Sequence, residues 1–282
     1  MLRCRNVAAA ILAFALTACV VVPERQHALV LEADGTVAQR AMHCGDSAEP
    51  RASLAGALDR SRIRLASWNL HKQADPGWQA DLGRLIDESD VLLLQEAEVS
   101  PELRAVVEKG SFSWLLSSAF EYLGLEYGVL TATRVPPASA CTLRAYEPLL
   151  GIPKAALITH YRLAGRNATL AVANLHAINF ALGTDAYRAQ LEAVADALSG
   201  HRGPIIVAGD FNTWNDDRDA VMHSLASRLS LTRVTFDVDG RKRFMGRVFD
   251  WIYAKDVEIL AATSRPVSSS DHYPLAVTFR VP

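Results

Sequence analysis

The sequence predicts an α/β chain in which short buried strands alternate with amphipathic helices from about residue 61 onward. Three observations carry that reading. Apolar runs of four to eight residues, too short for helices, recur along the stretch and end in polar residues. Between them lie segments whose apolar residues return with a helical period. The composition agrees: 282 residues, 50% apolar and 21% charged, are enough to bury a large core and exclude a disordered chain, a collagen or a coiled coil.

Residues 1–6 carry Arg3 and Arg5, and residues 7–22 are apolar apart from Thr17. That run is short for a bilayer span, which needs roughly 20 residues, and suits a secretory signal. Leu16-Thr17-Ala18-Cys19 resembles the lipobox of bacterial lipoproteins. The resemblance implies that residues 1–18 are a removable signal peptide and that Cys19 carries lipid. The protein is then exported and anchored in the bacterial envelope, with Val20 after the cysteine favouring the outer membrane. Without Arg3 and Arg5 the chain has 27 basic against 31 acidic residues, hence a net charge of −4.

Residues 19–60 read as a lipid-anchored tether with one hairpin, formed by the apolar run 28–31 and Asp34-Gly35. With Cys4 removed and Cys19 lipidated, Cys44 and Cys141 remain, an even pair in an oxidising compartment. They are either a disulfide joining the extension to the main domain or two buried thiols. Neither has zinc-site spacing.

Residues 61–282 form the main domain. Residues 63–68 alternate as a strand with Asn69 at its end, and Asp75-Pro76 opens a helix with Trp78, Leu82, Leu85 and Ile86 on one face. Residues 91–94 are a buried strand running into Gln95-Glu96. Ser100-Pro101 starts a second helix that Gly110 stops. Residues 155–163 and 169–176 are neighbouring strands around Gly165-Arg166-Asn167. Thr184 caps a helix facing inward through Tyr187, Leu191, Val194 and Leu198 and closed by Gly200. A buried strand over 204–208 leads into Gly209-Asp210-Phe211-Asn212, residues 217–229 are helical, and 248–253 and 274–281 are the last strands.

The chemistry lies where those strands end. Asn69, Glu96, Asn174 with His176, and Asp210 with Asn212 close four of them; Asp271-His272 precede another, and Asp250 stands in the strand before it. Alternation puts Asn174 and His176 on one face, and likewise Asp210 and Asn212 if the chain stays extended. A polar group beside an apolar run must be paired or costs about 1–3 kcal/mol, so these ends suggest one shared polar pocket. Carboxylates gathered there need a cation among them, and an oxygen-rich site without sulfur suits Mg²⁺, Mn²⁺ or Ca²⁺.

In this order the motifs resemble those of the endonuclease/exonuclease/phosphatase superfamily, with its DNase I-like fold. The matching blocks are Ser67-Trp68-Asn69-Leu70-His71-Lys72, Leu94-Gln95-Glu96, Asn174-Leu175-His176, Gly209-Asp210-Phe211-Asn212, Phe249-Asp250-Trp251 and Ser270-Asp271-His272, with residues 128–134 similar to the family's central strand. The resemblance implies a four-layered αββα sandwich, two packed mixed β-sheets flanked by helices, with the site at one end of the sheets. It also implies metal-dependent hydrolysis of a phosphate ester. Glu96, Asn69 and Asp271 would hold Mg²⁺ (or Mn²⁺). Asp210 would activate water, and Asn212 would steady that water or a phosphoryl oxygen. His272 would be held by Asp250 to bind or protonate the phosphate. His176 would be a second imidazole, with Asn174 beside it at the substrate. His71, His160 and Lys154 lie near the motifs.

The substrates open to such an enzyme are nucleic acid, a phospholipid or sphingomyelin headgroup, and a small ester. Export argues against chromosomal repair, and a net charge of −4 disfavours long nucleic acids. Arg241-Lys242-Arg243 with Arg247 is the densest basic run, facing either a polyanion or water. A reading of another class is a catalytically silent binding lipoprotein. No Gly-x-Ser-x-Gly elbow or P-loop is present. The chain is expected to be a monomer.

Overall fold

The computed structural model describes residues 20–44 and 56–282. The signal peptide expected over 1–18, and Cys19, lie outside the described residues. The strands are, in chain order, β1 (Val20–Val21), β2 (Ala28–Leu31), β3 (Val37–Arg40), β4 (Ile63–Asn69), β5 (Val91–Glu98), β6 (Ser113–Tyr122), β7 (Leu125–Thr133), β8 (Ser139–Tyr146) and β9 (Pro153–Arg162). They continue with β10 (Thr169–His176), β11 (Ile205–Asp210), β12 (Thr232–Arg233), β13 (Val238–Asp239), β14 (Arg243–Phe244), β15 (Arg247–Val248), β16 (Asp250–Lys255), β17 (Glu258–Ser264) and β18 (Leu275–Arg280). The helices are α1 (Trp78–Glu88), α2 (Pro101–Lys109), α3 (Asp185–Ser199) and α4 (Asp216–Leu229).

One sheet runs β13-β17-β18-β4-β5-β7-β6-β2-β3, with β1 also on β6; the other runs β12-β16-β11-β10-β9-β8. Both are mixed: β4 and β5 are parallel, as are β10 and β11, and most other pairs are antiparallel. Three apolar layers follow. Ile63, Leu65 and Leu93 of the first sheet meet Val172, Ile206 and Ile252 of the second. Trp78, Leu82, Leu103 and Val107 of α1 and α2 cover the outer face of the first, and Tyr187, Leu191, Val221 and Leu225 of α3 and α4 cover the second. The expected αββα sandwich is the observed fold.

The local signals act as expected where they are strong. The Ser100 hydroxyl accepts from the Leu103 N–H at the start of α2, with Pro101 in the first turn. Asn215 caps α4 in the same way. Thr184 precedes α3 without a side-chain cap. The hairpin expected near residue 30 is β2–β3, but it does not dangle: Ala28, Leu29 and Val30 pair with Ser117, Leu116 and Leu115 of β6. A Cys44–Cys141 disulfide fastens the same segment to β8, 97 residues away. Residues 20–40 are thus built into the first sheet and residues 43–44 are held to β8 of the second, rather than forming a free tether, because Ala28 and Val30 bury against β6 and its neighbours.

Candidate active site

The residues that end β4, β5, β10 and β11, with the start of β16 and the turn before β18, meet at one end of the sandwich. Asp210 is its hub. The close approach of β11 to β10 depends on Gly209, whose φ is 145° and where a Cβ would stand 1.9 Å from the Leu175 carbonyl oxygen. Buried to 2% exposure, Asp210 accepts from the Asn212 N–H at Oδ1 (3.0 Å) and from Asn69 Nδ2 at Oδ2 (3.1 Å). His176 Nε2 and His272 Nε2 stand 3.6 and 3.7 Å from that second oxygen. Burial, with Asp250 adding to it, pushes the Asp210 carboxyl up to about 6.

Asn212 does not continue an extended chain. It takes φ 48°, a left-handed conformation that Asn tolerates, and donates from Nδ2 to the Ala177 carbonyl (3.0 Å). Its backbone therefore wraps Asp210 instead of running on beside it.

His272 is held from two sides. Its Nδ1 lies 2.7 Å from Asp250 Oδ2, and its backbone N–H donates to Ser270 Oγ, which itself donates to the Asn69 carbonyl. Burial lowers the basicity of this imidazole, but the charges of Asp250 and Asp210 outweigh burial and raise it to about 10. It is an imidazolium at neutral pH, with Nδ1–H donating to Asp250 and Nε2–H turned toward Asp210.

His176 is its opposite. Burial first, then the Lys154 ammonium, hold it well below 6.5. Lys154 Nζ is 3.0 Å from His176 Nε2, so that nitrogen accepts and the ring proton sits on Nδ1.

Glu96 reaches the site through a β-bulge. The β5–β7 register slips between Leu94 and Ala97, and Glu96 takes φ 49°. The bulge turns Glu96 toward the site immediately after the inward-facing Gln95. Its Oε1 lies 3.8 Å from both Lys154 Nζ and His176 Nε2. Lys72 Nζ is 3.1 Å from Oε2 but out of line for a hydrogen bond. Burial alone would raise this carboxyl; His176 (in its protonated form), then the Lys154 and Lys72 ammoniums, overcome it and hold it at about 2.

Two expected site residues stand apart. Asp271 is at the rim, its side chain 57% exposed, with Oδ1 3.9 Å from His71 Nδ1 and from His272 Nε2. Asn174 is fully buried one pleat below His176 and faces no opening. Its Oδ1 accepts from Gln95 Nε2 (2.7 Å), and its Nδ2 donates to the Leu130 carbonyl (3.0 Å), tying the second sheet to the first. The alternation that set it on the face of His176 holds, but at that depth the two sheets have closed. The substrate contact expected of Asn174 is therefore corrected to an inter-sheet bridge.

Other residues matter more than the sequence suggested. Lys154, beside the motifs, enters the site because β9 begins there. Tyr127 lines the small cleft next to Glu96, Lys154 and His176, with its hydroxyl donating to Glu98. Glu147, buried at the end of β8, accepts from the Asn179 N–H (2.9 Å) and lies 3.9 Å from Lys154 Nζ. Arg218 is buried on α4, donates to the carbonyls of Ile178, Asn179 and Asn212, and stacks between Tyr187 and Trp214. It fixes the turns after β10 and β11 together, and an isolated Arg in a helix gave no sign of this. His160 pairs with Ser139 at the opposite end of the sheet, away from the site.

As donors for a cation, the oxygens of Glu96, Asp210, Asp271 and Asn69 are hard and fit Mg²⁺ or Mn²⁺. The Glu96 carboxylate is charged, and its Oε2 has no aligned donor. The tightest group of potential ligand atoms among the described residues is Asp210, Asp250 and His272, within 4.8 Å of one another. There the 2.7 Å contact between Asp250 and His272 uses both partners.

A family model described as the Endonuclease/Exonuclease/phosphatase family matches residues 66–272. A UPF0294 protein of Photorhabdus laumondii is 39% identical over 222 residues, 78% of this chain and 84% of that one. A UPF0294 protein of Vibrio campbellii is 34% identical over 260 residues, covering 92% and 89%. Among solved structures, an endonuclease/exonuclease/phosphatase from Bacteroides vulgatus superposes with a TM-score of 0.62 at 16% identity, covering 79% of this chain and all of that one. The human Nocturnin catalytic domain with bound sulfate gives 0.59 at 18%, covering 80% and 97%. At those identities the structural likeness speaks for the fold.

Proposed function

This chain belongs to the endonuclease/exonuclease/phosphatase family, and on that premise we propose that it is a divalent-metal-dependent phosphodiesterase of the bacterial envelope. The observation that carries the reading is the opposed pair around Asp210: a carboxylate with its proton affinity raised to about 6 beside an imidazolium held at about 10. A base and an acid pushed apart in this way, 3.7 Å from one another, suit hydrolysis near neutral pH.

Asp210 takes a proton from the attacking water, whose oxygen forms the new bond to phosphorus. Asn212 and Asn69 keep its carboxylate aimed. One ester P–O bond breaks, and His272 gives its Nε2 proton to the departing alkoxide while Asp250 keeps the ring in place. The products are an alcohol and a phosphate monoester. Charged Lys154 binds a phosphoryl oxygen; His176, whose Nε2 accepts from Lys154, steadies that ammonium and is not the acid. Glu96 would hold the metal ion, with Asn69 and, from the rim, Asp271 as the further ligands that the family resemblance implies. When bound, that ion supplies charge relief to the phosphoryl group.

The test is turnover of bis(p-nitrophenyl) phosphate with Mg²⁺ or Mn²⁺. Chelation should abolish it, and Glu96→Gln and His272→Ala should each lower kcat by about 10²-fold or more with the fold intact. Chelator-resistant turnover, or wild-type turnover in either variant, refutes the assignment.

A further inference from the structure

The site lies at one end of the sandwich, and among the described residues that end is also where most of the exposed large apolar side chains lie, Leu260 of β17 being at the other. Leu149 and Leu150 lie in the loop between β8 and β9, and Phe180 and Leu182 follow β10. The two loops are tied together by the Asn179–Glu147 hydrogen bond. Leu123 tips the β6–β7 hairpin and Met245 the β14–β15 hairpin.

The two hairpins hold the telling feature. Leu123-Gly124 and Met245-Gly246 are two-residue turns with φ 51° and 80°, and 49° and 83°. This turn type calls for Asn or Asp before Gly, because a larger side chain at positive φ is strained. Both positions instead carry long apolar side chains, 72% and 89% exposed. Neither gains burial within the fold for that strain. At the opposite end, the left-handed positions Ser111, Ser230 and Asp256 are polar, as turn chemistry predicts.

Two further observations say what covers this surface. The apolar sequence of residues 7–22 enters the fold at β1, where Val20 pairs with Tyr122 beside the Leu123 tip. A lipid carried at Cys19 would stand one residue from Val20 in sequence and so bring this end of the molecule to the membrane. Around Met245, Arg243 faces Asp239 at 3.5 Å and Arg247 pairs with Asp216 at 2.8 Å, which leaves the exposed Lys242 as the cation that an anionic headgroup layer attracts.

We propose that this end of the sandwich seats on a phospholipid bilayer carrying anionic lipid. Leu123, Met245 and the paired loops enter the interface, and the phosphodiester presented to Asp210 and His272 is that of a membrane phospholipid. The docking stands on the surface alone; the choice of substrate rests on the catalytic reading above.

The experiment places nitroxides on the full chain at Leu123→Cys, Met245→Cys and, as a far-end control, Asp256→Cys, with the protein bound to vesicles of phosphatidylethanolamine and phosphatidylglycerol. The first two labels should become accessible to oxygen and shielded from an aqueous nickel chelate; the control should remain in water. Equal aqueous access at all three sites overturns the docking. In a second arm, the Leu123→Asn/Met245→Asn chain, which suits both turns better and so keeps the fold, should hydrolyse vesicle phospholipid at least about tenfold more slowly. Its turnover of soluble bis(p-nitrophenyl) phosphate should be unchanged. Equal loss on both substrates, or loss on neither, overturns delivery of lipid to the site. A wild-type chain that hydrolyses neither substrate refutes the catalytic reading instead, and the label depths still decide the docking.

Discussion

Replacing Asp250 with Asn tests the catalytic pair through its dependence on pH. In the wild-type protein the His272 imidazole is raised to about 10, chiefly by Asp250, which touches Nδ1 at 2.7 Å, and by Asp210. The sign is that of a raised base: below its ordinary 6.5 the ring is protonated in any state, and the stabilised proton is lost only as pH climbs through about 10. An imidazole of that affinity is protonated at pH 8 in all but about one molecule in a hundred. Returned to an ordinary value near 6.5, it is protonated in about one in thirty. Asp250→Asn should therefore lower kcat at pH 8 by up to about 30-fold through loss of the acid alone. At pH 7 the factor shrinks to about four, and below 6.5 it approaches the pH-independent loss from a loosened ring. Asp210 still faces Nε2 at 3.7 Å, so the full factor is an upper bound. The acid limb, set by Asp210 near 6, should move to lower pH, because the Asp250 charge that helps raise that carboxyl is lost. Initial rates on a soluble phosphodiester from pH 6 to pH 10 measure both limbs. A loss of the same size at every pH would mean that Asp250 only positions the ring and that His272 is not the proton donor.

Two further outcomes follow from the packing. Asn174→Ala removes the bridge between the sheets and leaves Gln95 Nε2 and the Leu130 carbonyl with lost partners, so urea melts should show a destabilisation of about 2–4 kcal/mol. The KM of the folded variant should be unchanged, and a raised KM would return Asn174 to the substrate. Reducing Cys44–Cys141 releases a loop closed over 97 residues, worth about 4 kcal/mol in the unfolded chain, so thermal melting should fall by roughly 10 °C. An unchanged melt would show that β2–β6 pairing alone secures the segment.

Much of this was legible in the sequence where a local rule and a chemical rule coincide. Asn69, Glu96, Asp210 and His272 each end or adjoin an apolar run, and an apolar run that stops at a charged or amide group has few reasons to do so other than a shared site. The helices with clear one-sided patterns were legible for the same reason. Three things were not. Alternation puts Asn174 and His176 on the same face, yet it carries no depth, and depth separates a bridge from a ligand. The bulge at Glu96 and the left-handed turn at Asn212 break the extended chain, so spacing by twos stops applying where the site is built. Lys154 and Arg218 are brought in by long-range pairing, and nothing near either in sequence marks its partner. The segment 20–44 misled because its apolar runs are short and its polar stretches long; sheet pairing with β6 and a covalent tie supply what its own composition lacks.

That integration has a practical side for anyone preparing the protein. A shortened version beginning near residue 61, where the first motif-bearing strand starts, would look like the whole enzyme. It would strip the β6 edge of β1 and β2, leaving the backbone of Leu115–Ser117 unsatisfied and Cys141 a lone thiol. Such a version should be prone to edge-to-edge association and to intermolecular disulfides. A soluble preparation should start at Val20, and poor behaviour of anything shorter reports on the missing strands rather than on the catalytic end.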